Sequence, residues 1–190
     1  MMLKKKKDTA KNSKQEPKFE EQDIRILSLY GPIDEESIEK TIMSMLALSY
    51  MGDDPIQMII STNGGLANEM FGLYDVMRNV RQDIDINTLG LGKVMSAGVL
   101  LLASGTKGKR KIGKHSRVMI HGLKSEVGGH LGDIDNDLNE LKAIEKIYIK
   151  TLAKETSMSK KYIKDLFRQK RDIYLTAKEA VEFGVADEVI

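Results

Sequence analysis

The stretch LGKVMSAGVLLLASG, residues 91–105, contains a residue that could do chemistry. Ser96 stands among glycines and apolar residues, directly before a run too apolar for a surface loop. At the start of a helix, a serine commonly serves as the N-cap, and its hydroxyl then accepts a backbone N–H of the first turn. The same position can instead present the hydroxyl as a nucleophile, provided that a base lies beside it. Both interpretations are open on this stretch alone.

Two further features have the type and place that acyl-transfer chemistry requires. The pair Gly64–Gly65 follows the apolar segment IQMII and offers bare backbone N–H groups, while His121 closes the apolar segment SRVMIH. In open α/β sheets, ligands bind at the carboxyl ends of the strands, so these features adjoin Ser96 if the segments are neighbouring strands. N–H donors beside a serine and a histidine are the parts of an oxyanion hole, a nucleophile and a general base. The alternative for His121 is a position in the core.

Several other chemistries are excluded by composition and spacing. The local pattern Gly92-x-x-x-Ser96-x-Gly98 differs from the G-x-S-x-G motif of α/β-hydrolases. The chain has no cysteine, which removes disulfides, thiolate metal sites and cysteine nucleophiles. Its three histidines are scattered, so we expect no zinc cluster.

Alternating strand and helix patterns predict the elements that would position these groups. The predicted strands are DIRILSLYG ending at Gly31–Pro32, IQMII broken at residues 63–65, IDINTLG, and SRVMIH. The predicted helices include a long amphipathic one from near Asp133, and a short one that Thr176 and Glu179 begin as a capping box. Such alternation is typical of an α/β fold whose parallel strands are joined by right-handed crossovers.

The composition suits one globular domain, with 41% hydrophobic and 31% charged residues among 190. Residues 1–22 carry seven lysines against four acidic side chains, which predicts a disordered basic tail before a single domain over 23–190. The tail has no apolar segment of a secretory signal, and no run is long enough to span a membrane. Together with the lack of cysteine, this predicts a cytoplasmic protein. Nucleic-acid binding is not expected, because the rest of the chain shows no basic stripe.

Four segments, taken in order and spacing, resemble the ClpP family of serine peptidases: STNGGLANEMFGLYDVM, GKVMSAGVLLLASGTKGKR, SRVMIHG and RDIYLTAKEAVEFGVADEV. The resemblance covers about residues 24–190. It implies Ser96 as the nucleophile, His121 as the base and Asp172 as the residue that orients the base. It also implies the backbone N–H groups of Gly65 and Ala97 as the oxyanion hole. The implied activity is endopeptidase cleavage of peptides or unfolded proteins, with no metal or cofactor.

The same resemblance implies a fold and an assembly. The family fold is of the crotonase type, with repeated ββα units and a protruding handle helix, here at about residues 133–154. The family assembles as a heptameric ring or a double-ring tetradecamer with the active sites inside, and it partners AAA+ unfoldases. Segment SEVGGHLGD aligns with the family's glycine-rich strand at the contact between rings.

The chain departs from the family pattern at several positions. Asn63 stands where the family usually has proline before the paired glycines, and the bulky Val94 and Met95 precede the serine. These departures favour a divergent member, accessory or virus-encoded, over a housekeeping subunit. The surface that would dock the unfoldase also differs, because the family's aromatic positions hold Gln57, Ile59 and Asn79.

Two other functions stay open from the sequence. The chain could be a ring subunit without catalysis or dependent on an activator, although the retention of Ser96, His121 and Asp172 argues against a silent subunit. It could also be a crotonase-like acyl-CoA enzyme, a class that needs paired oxyanion donors but no such trio.

Overall fold

The computed structural model of the chain describes residues 25–190. The basic tail predicted over residues 1–22 lies outside the described residues. The strands are β1 (Ile26–Ile33), β2 (Ile56–Gly65), β3 (Ile86–Met95), β4 (Lys111–Ile112), β5 (Arg117–Ile120), β6 (Ile173–Thr176) and β7 (Glu188–Val189). The helices are α1 (Glu35–Met51), α2 (Ala67–Val80), α3 (Ala97–Ala103), α4 (Leu131–Glu155), α5 (Lys160–Arg168) and α6 (Ala177–Glu182).

The strands of the described part form a sheet with the order β1-β2-β3-β4-β7, in which each neighbouring pair is parallel. β3 pairs with two strands at once: residues 89–90 pair with β4, and residues 93–95 pair with β5, again in parallel. β6 pairs antiparallel with β5. The mixed α/β fold with a mostly parallel sheet is therefore confirmed, and the carboxyl ends of β2, β3 and β5 share one edge.

The first three strands are longer than the sequence predicts. β1 and β2 run through Gly31 and Gly64, where we expected breaks, and β3 continues past Gly92 to the residue before Ser96. Shifts of register in the β1–β2 and β2–β3 pairings absorb the irregularity, so these glycines bend the strands without ending them. As a result, β3 carries the chain directly to Ser96.

Local capping interactions determine where two of the helices begin. In α1, the Asp34 carboxylate accepts the N–H of Ser37, while the Ser37 hydroxyl accepts the N–H of Asp34. The capping box predicted for the last helix is confirmed, because Thr176 and Glu179 make the reciprocal pair at the start of α6.

The long helix α4 extends slightly beyond the predicted bounds of 133–154, since it begins at Leu131 and ends at Glu155. Its first half is largely exposed, whereas Tyr148 and Leu152 in its last turns are buried. Within the single chain, the segment SEVGGHLGD forms no strand, because residues 121–130 are neither helix nor strand. A strand needs a neighbouring backbone, and no described strand pairs with this segment.

The core lies between the sheet and the helices that cover it. All seven residues of α3 are buried, so this helix is held from every side. Along residues 25–190, no helix combines the length and the apolar character that crossing a membrane requires.

Candidate active site

Ser96 occupies a strained turn between β3 and α3. Its φ of 55° and ψ of −120° lie outside the conformations that a serine prefers, at a cost of about 1–3 kcal/mol. Three hydrogen bonds hold this backbone. The Ser96 N–H donates to the Met119 carbonyl at 2.8 Å, and the Ser96 carbonyl accepts the N–H of Val99 at 3.0 Å and the hydroxyl of Tyr148 at 3.1 Å. The turn is thus fixed by β5, by the first turn of α3 and by α4.

The capping interpretation of Ser96 is wrong. Ser96 stands at the N-cap position of α3, but its side chain makes no capping hydrogen bond. The hydroxyl is therefore not occupied by helix capping, and the half-buried side chain lines a cavity. Among the described residues, the Ser96 hydroxyl is thus free of capping on a strained backbone, and it is available to a base beside it, as the nucleophile interpretation requires.

The end of β2 closely approaches Ser96 because it is built from glycine. At Gly64, with a φ of 94°, an added Cβ would lie 2.6 Å from the Ser96 Cβ, so a side chain there would displace the serine. The Gly64 N–H donates to the Thr62 hydroxyl at 2.9 Å, and the Leu66 N–H donates to the Ile33 carbonyl at 2.8 Å. Since its two neighbours are engaged, Gly65 is the candidate oxyanion donor of this turn.

The second candidate donor is the N–H of Ala97, the first residue of α3. N–H groups in the first turn of a helix have no partner within the helix, so they are available to an anion. Both Gly65 and Ala97 line the same cavity as Ser96 and His121. The structure therefore brings together four of the five residues that the sequence predicts for the site.

His121 follows β5 and is brought to Ser96 by the pairing of β5 with the end of β3. It is half-buried, and its Nδ1 atom is buried without a hydrogen-bond partner among the described residues. Burial lowers the pKa of His121 below its usual 6.5, the charge of Lys124 lowers it further, and the charge of Asp172 opposes both. The imidazole is thus neutral near pH 7, which is the form that a general base needs.

Asp172 is near His121 but pairs with another side chain. Because Ile173 of β6 pairs with Ile120 of β5, Asp172 and His121 come one residue further along the two antiparallel strands. The Asp172 carboxylate, however, binds the ammonium group of Lys124 at 2.8 Å, and this hydrogen bond lowers the pKa of Asp172. Asp172, the fifth residue implied by the resemblance, therefore lies near His121 but does not line the cavity and does not accept a hydrogen bond from His121 Nδ1.

Sequence reasoning missed three residues of the site. Lys124 had no motif to identify it, although a lysine three residues after a candidate base could have been noted. Tyr148 lies in the long helix predicted from near Asp133 and had no motif to identify it, yet its hydroxyl donates to the Ser96 backbone carbonyl. Glu69 appeared only as a residue of α2, and it lines the cavity.

The cavity beside Ser96 has a volume of about 410 Å³, within the range of small-ligand and peptide pockets. Its lining combines apolar and polar surface in nearly equal parts, with a few charged groups among them. The lining residues include Leu66, Met70, Leu141, Ile144, Tyr148, Glu35, Glu69 and Lys124. Between residues 25 and 190, no cluster of three or more His, Asp and Glu side chains could hold a metal ion.

Comparison with known proteins agrees with this geometry. The family profile described as Clp protease matches residues 14–190. The chain is 35% identical over 173 residues to the ATP-dependent Clp protease proteolytic subunit 2 of Corynebacterium jeikeium, covering 90% of this chain and 79% of that protein. It is 37% identical over 175 residues to the ATP-dependent Clp protease proteolytic subunit 1 of Thermobifida fusca, covering 90% and 75%. The chain therefore belongs to the Clp protease family and is a ClpP-like serine protease.

Proposed function

We propose that Ser96, His121 and Asp172 hydrolyse peptide bonds, with the backbone N–H groups of Gly65 and Ala97 as the oxyanion hole. The observation that carries this proposal is the strained turn at Ser96, whose backbone is held by three hydrogen bonds. Ser96, His121 and the two candidate donors line one cavity. The family membership supports the reaction class.

The reaction divides into acylation and deacylation. The Ser96 Oγ attacks the peptide carbonyl carbon while His121 takes the hydroxyl proton, and the two N–H donors stabilise the resulting oxyanion. The C–N bond then breaks, and His121 returns the proton to the leaving amine. In deacylation, a water oxygen attacks the acyl carbon while His121 takes a water proton. The C–O bond to Ser96 then breaks, and His121 returns the proton to the Ser96 oxygen.

For this reaction, the Asp172 carboxylate has to exchange its hydrogen bond with Lys124 for one with His121. A carboxylate orients the imidazole by accepting the proton on Nδ1, and that atom is unpartnered here. The Lys124 side chain is 67% exposed and that of Asp172 is 33% exposed, and ion pairs of this kind contribute only about 0–1 kcal/mol. The exchange is therefore small in energy, and it would align the three residues.

Assembly and partners are proposed from the relatives. They are named as proteolytic subunits of ATP-dependent proteases, which supports a homo-oligomeric ring, heptameric or doubled, that works with an AAA+ ATPase. The exposed first half of α4 supports a contact between rings. Docking of the ATPase would differ from that of the family, because Gln57, Ile59 and Asn79 replace the family's aromatic residues. The Gln57 side-chain amide donates to the Asn87 backbone carbonyl at 3.0 Å, Ile59 is half-buried and Asn79 is exposed.

Domain organisation and location complete the proposal. Residues 23–190 would form one peptidase domain, supported by the sheet that connects β1 to β7 in the described part. The basic tail would precede this domain. The cytoplasm is the proposed location, which the absence of cysteine from the sequence supports.

Labelling with a fluorophosphonate, followed by intact-mass analysis and peptide mapping, tests this function. We expect one adduct on Ser96 in the wild type, none in Ser96→Ala, and labelling slowed by at least about a hundredfold in His121→Ala. Ser125→Ala is the matched control, because Ser125 also lines the cavity and its loss should leave labelling unchanged. No adduct in protein that light scattering shows to be assembled would contradict the proposal and favour a non-catalytic ring subunit.

A further inference from the structure

The cavity beside Ser96 has an unbalanced negative charge. Its charged lining residues outside the proposed catalytic groups are Glu35, Glu69 and Lys124. Lys124 pairs with Asp172, and when Asp172 turns to His121 in the proposed mechanism, two carboxylates still face one ammonium group. Among residues 25–190, neither glutamate has a cationic side chain within 4.0 Å. The space that a substrate side chain would enter is therefore bordered by two carboxylates that have no counter-ion in the described part of the chain.

Glu69 is the better placed of the two. It lies in the first turn of α2, four residues after Gly65, so the chain that would supply the oxyanion donor leads directly to it. Glu69 is half-buried, whereas Glu35 is exposed at the start of α1. A carboxylate in a first helical turn stabilises the helix dipole, but that role is also served by the exposed glutamates of α1 and requires no burial.

The apolar part of the lining complements this charge. Leu66, Met70, Leu141 and Ile144 border the same cavity, and Met70 is only 2% exposed. Lysine and arginine combine a long apolar stem with a cationic head, so they can pack on such residues while the head reaches a carboxylate. A purely apolar side chain would cover Glu69 without giving it a partner, which costs desolvation energy.

We propose that Glu69 selects substrates with lysine or arginine at the residue whose carbonyl Ser96 attacks. The side chain of that residue branches one bond from the attacked carbon, so it has to occupy the space next to Ser96 and Gly65. Glu69 would pair with its cationic head, and Glu35 would attract basic segments toward the opening. This inference rests on the proposed function, since it assigns a specificity to the same site.

The test uses fluorogenic peptides that differ only in the residue before the scissile bond, which is arginine, leucine or glutamate. In the wild type we expect the arginine peptide to have the highest kcat/KM. Glu69→Gln should lower the arginine-to-leucine ratio of kcat/KM by about tenfold, mainly through KM, because a charge pair inside the cavity is lost. Glu69→Lys should shift the preference to the glutamate peptide.

Glu36→Gln is the matched control. Glu36 is also a first-turn glutamate, but it pairs with Lys40 and does not line this cavity, so its loss should leave all three ratios unchanged. The inference is overturned if the arginine-to-leucine ratio of kcat/KM in Glu69→Gln stays within twofold of the wild-type ratio, or if the wild type prefers the leucine or glutamate peptide. In either case, a fluorophosphonate adduct on Ser96 would still support the protease function. No adduct and no cleavage of any peptide overturns both.

Discussion

The carboxylate of Asp172 acts on two groups with opposite consequences for catalysis. It forms an ion pair with Lys124 at 2.8 Å, and its charge also raises the pKa of His121, against burial and against Lys124. Tyr148 adds no charge to this balance, because burial raises its pKa well above the usual range. In the proposed mechanism, Lys124 therefore opposes catalysis in two ways: it holds the carboxylate that would orient His121, and it disfavours the imidazolium that would form.

Replacing Lys124 with methionine should raise kcat/KM by about two- to fivefold at low salt, the size expected from breaking an exposed ion pair. The change removes a cation that lowers the pKa of His121, so this pKa should rise and the acid limb of the pH profile of kcat/KM should move to higher pH.

The measurement is the pH dependence of kcat/KM with a single peptide substrate. Lys111→Met is the matched control, because Lys111 also forms an exposed ion pair, with Glu188, away from the cavity. An acid limb that stays in place or moves to lower pH in Lys124→Met would contradict the role given to Lys124.

Helix α4 shows how an element far along the chain supports the site. Its exposed half leaves the core, while its last turns are held at their end by Glu155, which is 1% exposed. The Glu155 carboxylate accepts the Tyr74 hydroxyl at 3.0 Å and pairs with Arg81 at 3.3 Å. This anchoring keeps Tyr148, two turns earlier, in place to donate to the Ser96 carbonyl.

Truncating Glu155 to alanine should destabilise the chain strongly. The change leaves the half-buried Arg81 without its counter-ion beside Arg78 and Lys107, and breaking a buried ion pair costs about 3 kcal/mol or more. For a chain of this length, that corresponds to a fall of about 6–12 °C in the melting temperature. Circular dichroism measures the change, and Glu140→Ala, at an exposed position of the same helix, should shift the melting temperature by less than about 2 °C. Equal shifts for the two variants would show that Glu155 does not anchor α4.

At the scale of the whole molecule, exposed apolar side chains in and before α4 are candidates for a contact between copies in the proposed ring assembly. Leu131 and Leu138 on the projecting half of α4 are 84% and 42% exposed, and Val127 in the preceding segment is 41% exposed. A long amphipathic helix with its apolar stripe left open has too little contact to hold its place alone. This supports α4 as the contact between rings in the proposed assembly.

Leu138→Glu should therefore reduce the assembled mass. We expect the wild type to have seven or fourteen times the chain mass of 21.3 kDa by multi-angle light scattering, and Leu138→Glu to lose the doubled form. A carboxylate at this contact is buried without a partner in both copies, which opposes pairing. Asn139→Glu adds the same charge at the adjacent exposed position and should keep the wild-type mass. A wild-type mass of one chain, or an unchanged mass in Leu138→Glu, would contradict this contact.

The sequence by itself determined the features that depend on local order. Alternating apolar patterns predicted the α/β fold, the Thr176–Glu179 capping box predicted the start of α6, and the stripe of α4 predicted that helix to within two residues. Ser96, the Gly64–Gly65 pair and His121 were predicted to meet if their strands are neighbours, because each stands at or after the carboxyl end of a predicted strand. The ends of β1, β2 and β3 were predicted too early, since a glycine alone does not show whether it bends a strand or stops it.

Only the tertiary structure decided which side chains become partners across the chain. The two-residue strands β4 and β7 are too short to show any period. The Lys124–Asp172 pair joins residues 48 positions apart, and the Tyr148 hydroxyl reaches Ser96 across 52 positions. The opening of Glu69 onto the cavity depends on how α2 packs beside α3 and α4. Such contacts are determined by packing distances between remote segments, and residue type and spacing along the chain do not encode those distances.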